Sequence, residues 1–237
     1  MISYSKATNL INKNSLTITK TRVSIEEALH RVCAENVVSP SKHPSSNNSA
    51  FDGFALVSKE TKGLNSKKTK KFKLLKTIAA GDNPKIKNYK KGSTVEIMTG
   101  AVLPKHFDSI LPIENAKYFP SKNKPTHIVV DREIKKNSYI RFSGEDYKTK
   151  DKVLKKGEII QANHLMAFAA LGITKVLVKK IPKIIFFGTG NEVVDYRKKN
   201  ISPWKVRNSN SLYFYAFGKS LNLEMIDGGM VKDNQPN

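Results

Sequence analysis

Apolar residues in the middle of the chain come in short runs broken by turn-forming residues. Strand-length runs cover 53–57, 72–80, 94–98, 109–113, 126–130 and 138–142. Gly63-Leu64-Asn65, Gly81-Asp82-Asn83-Pro84, Lys91-Gly92, Val102-Leu103-Pro104 and Asn123-Lys124-Pro125 punctuate them. Residues 45–146 carry almost no helical periodicity. They predict a compact β domain of about a hundred residues, a barrel or a sandwich. The lysine tract 67–71 reads as a loop.

The flanks have a different texture. Residues 4–13 suit a short helix and Thr17 to Val23 a strand. Ser24-Ile25-Glu26-Glu27 is a capping box, and Ile25, Ala28, Leu29 and Val32 follow at helical spacing, so a helix is predicted over 25–35. Pro40 and Pro44 then break the chain. After a short extended piece at 157–160, Ala162 to Leu171 reads as a helix with Gly172 as its C-cap, and Thr174 to Val178 as a strand. Lys183 to Phe187 is a buried-type strand running into Gly188-Thr189-Gly190-Asn191-Glu192. A helix capped by Asn208 covers 209–221. A strand at 223–226 ends in a turn at Asp227-Gly228-Gly229. Strand, helix, strand at this spacing is one βαβ unit of an open α/β sheet. One such unit cannot cover both faces of a parallel sheet, so either something outside the chain completes it or the chain is a fragment.

Composition narrows the partners. The 237 residues carry 42 lysines and arginines against 20 acids, a net charge of +22, which attracts polyanions. The lysine pairs are spread along the chain, mostly beside turn residues, as on a solvated surface or in a lysine-rich genome. One cysteine, Cys33, excludes an internal disulfide and reads as a buried structural thiol. The histidines show no metal-ligand spacing. No apolar run approaches the roughly twenty residues needed to span a bilayer, and the N-terminus lacks a signal-peptide core, so the expectation is a soluble cytoplasmic protein without a membrane partner.

One polar stretch stands out. Pro44 opens it, Ser45-Ser46-Asn47-Asn48-Ser49 follow, and Asp52 sits between Phe51 and Gly53 where the strand begins. Small polar residues there let backbone N–H groups approach a ligand, and Asp52-Gly53 permits a turn that aims the carboxylate off the strand end. An ordinary Asx-rich turn before a hairpin uses the same residues.

Four stretches occur in a familiar order: Asn48-Ser49-Ala50-Phe51-Asp52-Gly53-Phe54-Ala55; Ile97-Met98-Thr99-Gly100-Ala101-Val102-Leu103-Pro104; Ile140-Arg141-Phe142-Ser143-Gly144-Glu145-Asp146; and Thr189-Gly190-Asn191-Glu192 with Asn208-Ser209-Asn210 beyond. The chain resembles the MoeA/gephyrin family, the molybdopterin molybdenumtransferases, from about residue 4 to its last residue. The resemblance implies a fold of class α/β and β, multidomain. An elongated N-terminal domain is made from two segments, 1–44 and 147–180. A β domain at 45–146 is inserted between them, and a Rossmann-like molybdopterin-binding α/β domain begins near 181 and is incomplete at 237. It also implies a homodimer, and a molybdopterin adenylyltransferase as the partner supplying substrate. The implied reaction inserts molybdate into adenylylated molybdopterin with magnesium-dependent release of AMP.

Matched to the family motifs, Asp52, Asp146 and Glu192 take catalytic roles, Glu192 doubling as a magnesium ligand. Thr99, Arg141, Asn48 and Ser49 take substrate-binding roles. Each has a plainer alternative: Arg141 and Asp146 could simply pair, and Thr99 could cap a turn. The chain departs from the family at Phe54, usually tyrosine, at Asn191, usually aspartate, and at His30, usually glycine. The family's Gly-Gly-x-Ser-x-Gly, Lys-Pro-Gly-Lys and Gly-Asn-Pro motifs do not occur in these residues, so the isolated chain is expected to lack molybdenum insertion. The alternative function is an inactive dimerisation or scaffold protein. A nucleic-acid binder ranks last, because no recognition helix or aromatic-rich basic strand pair supports it.

Overall fold

The computed structural model describes residues 2–14 and 16–232. It is mixed α/β, rich in sheet and poor in helix, and divides into two compact units: Met1–Val37 with Val153–Asn237, and Val38–Lys152. No helix among the described residues is long and apolar enough to cross a membrane.

The second unit is built on one six-stranded mixed sheet. Its spatial order is Ser109–Pro112, Gly53–Leu56, Ser93–Ile97, Lys70–Ile78, His127–Val130 and Lys117–Phe119. The sheet does not close on itself, which corrects the expected barrel or sandwich. The strand Gly53–Leu56 is buried throughout. Period-two alternation sends Phe54 and Leu56 into a cluster with Phe72, Leu111 and Ile128, and Ala55 into another with Ile78, Val95, Ile97 and Ile110. Lys70–Ile78 and Ser93–Ile97 run parallel, so the chain must cross over between them; residues 79–92 do this as an irregular loop. Lys70 and Lys71 belong to the strand rather than to the loop expected at 67–71. The strand expected at 138–142 shrinks to Ile140–Arg141, paired with Asn48–Ser49.

In the first unit Tyr4–Lys13 forms helix α1, and Lys20–Ser24 pairs antiparallel with Lys175–Lys179. Ala162–Ala170 forms α2, and Gly172 follows it. The helix expected at 25–35 does not form. Single turns close at Glu27 and Ala28, and then partners distant in sequence take the backbone: His30 N–H donates to Ile160 O, Cys33 N–H to Glu158 O and Ala34 N–H to Leu177 O. The same pairing buries Ala28 and Cys33 against Ile160, Phe168, Val176 and Val178. Tertiary hydrogen bonding plus burial outweighs the capping box, which is worth about 1 kcal/mol. Burial also pushes the Cys33 thiol pKa up.

His30 sits in this turn with φ +61° and an exposed side chain. An L-residue there is strained by about 1–2 kcal/mol, partly offset by the extra freedom glycine has when unfolded. His30→Gly is therefore expected to raise stability by about 0.5–1 kcal/mol in chemical denaturation; a loss of stability would show that the imidazole contributes to packing.

The βαβ unit is present. Lys183–Thr189 pairs parallel with Glu224–Val231, and Ser209–Ser220 forms α3, where Asn208 accepts from the Ser211 N–H. The turn expected at 227–229 is instead strand, continued past a register shift.

Candidate functional site

Three polar segments of the second unit meet where the strand Gly53–Leu56 begins. Ser49 N–H donates to Ala101 O at 2.9 Å, and Gly100 N–H returns a bond to Ser49 O at 2.8 Å. Leu103 N–H donates to Asn47 O at 2.8 Å and Ala50 N–H to Tyr139 O at 2.9 Å. Ser143 N–H donates to Asn47 Oδ1 at 2.9 Å. Gly100 adopts φ +80°, the left-handed region that glycine occupies without penalty. Its carbonyl accepts from Asn48 Nδ2 at 3.0 Å. Asn48 Oδ1 is buried and has no hydrogen-bond partner among the described residues. The Ser49 hydroxyl is turned inward onto Phe51 O.

Asp52 is held from one side. The Thr99 backbone N–H and hydroxyl both donate to Asp52 Oδ1, each at 2.7 Å. These two bonds, the backbone one first, hold the Asp52 carboxyl below its ordinary pKa. The anion is thus preformed, and among the described residues its second oxygen takes part in no hydrogen bond or ion pair. Gly53 is needed for a reason other than turn freedom. A Cβ there would lie 2.2 Å from Leu111 O, so only glycine lets the strand Ser109–Pro112 approach.

Arg141 and Asp146 form a salt bridge, and His43 Nε2 lies 3.7 Å from the same Asp146 oxygen. The bond to Asp146 raises the Arg141 pKa. The pairing offered as the plain alternative is therefore made; an exposed pair of this kind orients the two side chains more than it stabilises the fold.

A cavity of about 790 Å³ adjoins this loop cluster, lined in part by Asn47, Asn83, Lys85, Lys105 and His106. Of these, sequence reasoning placed Asn47 in the polar stretch and Asn83 in a turn. It gave Lys85, Lys105 and His106 no role, because nothing in their spacing signals a shared cavity.

Glu192 belongs to the first unit. It follows Gly190, and its carboxylate folds back so that a Cβ on Gly190 would meet Oε1 at 2.9 Å. Its carbonyl accepts from Val206 N–H at 3.0 Å, and Lys205 Nζ donates to Asn191 O. Among the described residues, no three His, Cys, Asp or Glu side chains are placed to hold a metal ion.

The family model for the MoeA N-terminal region, domains I and II, matches residues 2–172. The chain belongs to the MoeA family. A molybdopterin molybdenumtransferase of Staphylococcus epidermidis is 28% identical over 236 residues, covering 100% of the chain and 54% of that protein. One from Staphylococcus aureus is 30% identical over 203 residues, 86% of the chain and 47% of that protein. A molybdopterin biosynthesis MoeA protein from Pyrococcus horikoshii has the same fold, with TM-score 0.86 and 26% identity over 99% of the chain and 61% of the archaeal one. A second crystal structure of a MoeA protein from the same genus gives TM-score 0.84 at 25% identity. The MoeA-family chain thus spans about half the length of its curated relatives. Three of its four motif stretches, at 48–55, 97–104 and 140–146, converge within one unit.

Proposed function

We propose that the chain forms the front part of a molybdopterin molybdenumtransferase, which inserts molybdate into adenylylated molybdopterin and releases AMP. The observation that carries this is the convergence of the three loops on a preformed Asp52 carboxylate. Thr99 sets the carboxylate, and Asn48 and Ser49 shape the backbone beside it. Arg141, oriented by Asp146, meets an anionic group of the substrate. The expected domains, 1–44 with 147–180, 45–146, and 181 onward, and a homodimer belong to the same reading.

Magnesium fits this donor set in its usual form. The ion favours one or two carboxylates, several waters and substrate phosphates over an all-protein cage. Glu192 is an exposed hard-oxygen donor of that type and would be its ligand. Bound magnesium would neutralise phosphate charge as AMP leaves.

The test uses the complete product of the coding sequence, supplied with adenylylated molybdopterin, molybdate and magnesium. AMP release is expected and should stop on chelation. A folded product that binds the substrate and releases no AMP would overturn the transferase reading in favour of a scaffold.

A further inference from the structure

The lysines that look scattered in sequence are gathered by topology. The crossover loop 79–92 folds back along the strand Lys70–Ile78, and between them lies a cleft of about 1110 Å³. Lys73 and Lys76 line it from the strand; Lys85, Lys87, Lys90 and Lys91 line it from the loop. All six are exposed. The lysine–carboxylate pairs among the described residues are Lys70–Glu60, Lys117–Asp131 and Lys183–Glu224, and none uses a cleft lysine. The acids bonded to neighbouring residues are committed. Glu60 accepts from Lys70 and from Gly92 N–H, Glu96 from the Thr77 hydroxyl, and Asp82 from Ala79 N–H.

The cleft also has a built frame. Lys76 Nζ donates to the carbonyls of Asn83 and Lys85, each at 3.2 Å, tying strand to loop. The parallel ladder slips between Leu74 and Thr77, which takes Leu75 and Lys76 out of register beside the cleft. Tyr89 is stacked face to face on His106, ring centroids 4.3 Å apart, and meets Phe107 edge-on.

We propose that this cleft binds a compact polyphosphate chain, such as inorganic triphosphate or the phosphate tail of a nucleotide. Six like charges, none of them ion-paired to a carboxylate among the described residues, raise the local potential, and a short ligand carrying several charges relieves it best. The wall formed by residues 73–76 is roughly 10 Å long at strand rise, which suits a triphosphate. A single strand of nucleic acid asks for a longer track and for free aromatic faces to stack its bases. Here the Tyr89 ring has one face covered by His106. The neighbouring 790 Å³ cavity shares Lys85 and Ile86 with the cleft, so a nucleoside attached to the phosphates has somewhere to go. The cleft's chemistry holds whether or not the chain acts on molybdopterin.

Calorimetric titration of the chain with sodium tripolyphosphate and with ATP is the test. One ligand per chain is expected, with affinity falling as salt rises. Lys73→Gln with Lys87→Gln should weaken binding roughly tenfold or more, as loss of two charge-assisted contacts requires, while Lys135→Gln with Lys136→Gln leaves it unchanged. Equal affinity for both ligands assigns the site to phosphates alone; tighter ATP binding assigns it to a nucleotide. Equal weakening by both lysine pairs would reduce the cleft to diffuse surface charge and overturn the proposal. So would absence of binding, tighter binding of an oligonucleotide than of triphosphate, or an acidic peptide binding as tightly.

Discussion

Gly53→Val is expected to lower the melting temperature by on the order of 10 °C, the shift that follows from a loss of about 3 kcal/mol in a domain of this size. The new Cβ would stand 2.2 Å from Leu111 O, 2.9 Å from Leu111 C and 3.0 Å from Pro112 Cα, all backbone atoms that no rotamer change can move. Gly53 pairs with Pro112 on one side and Ile97 on the other, so relief requires the sheet to open at a central strand. Opening it would also strain the bond from Ile113 N–H to Asp52 O, and with it the setting of the carboxylate. Thermal unfolding followed by circular dichroism measures this. Melting alongside the parent would mean that the strands part more easily than the contact implies.

Asp52→Asn is expected to cut AMP release by the complete protein about a hundredfold, within the range for losing a placed charged group, with only a small loss of melting temperature at neutral pH. Asparagine keeps an oxygen that can accept both Thr99 bonds, so the loop stays and the charge goes. The pH dependence has a definite sign. The Asp52 pKa in the folded protein lies below its ordinary value of 3.8, so any stability it contributes is present above that value. It is lost as pH falls through the folded pKa. Any acidic limb of the activity profile that belongs to Asp52 should therefore lie on the acid side of the ordinary carboxylate range. Full activity in the Asn variant would remove Asp52 from the chemistry.

Strands were legible where alternation meets a two-sided core, as at Gly53–Leu56 and Ser93–Ile97. The failure at 25–35 was physical rather than statistical. Ile25, Ala28, Leu29 and Val32 have helical spacing, but the residues at 158–160 and 177–178 offer hydrogen bonds and burial that an isolated helix there would forgo. Local sequence does not reveal such distant partners. The short strand Lys117–Phe119 was invisible because its burial alternates over three residues only. The Asp52–Thr99 contact spans 47 positions and follows from sheet topology, not spacing. Arg141–Asp146, five apart, could be foreseen as a pair. The cleft lysines could not be joined without knowing where the crossover loop folds.

The two ends of the Val38–Lys152 unit meet one another: Ser39 N–H donates to Asp151 O and Lys150 N–H to Ser39 O, each at 2.8 Å. Left unfolded, a loop of about 115 residues would charge the flanking segments on the order of 4 kcal/mol in closure entropy. Once folded, the unit delivers residues 37 and 153 side by side and turns that long loop into a short one. Assembly in which 38–152 folds first should accordingly be faster than assembly in which it folds last.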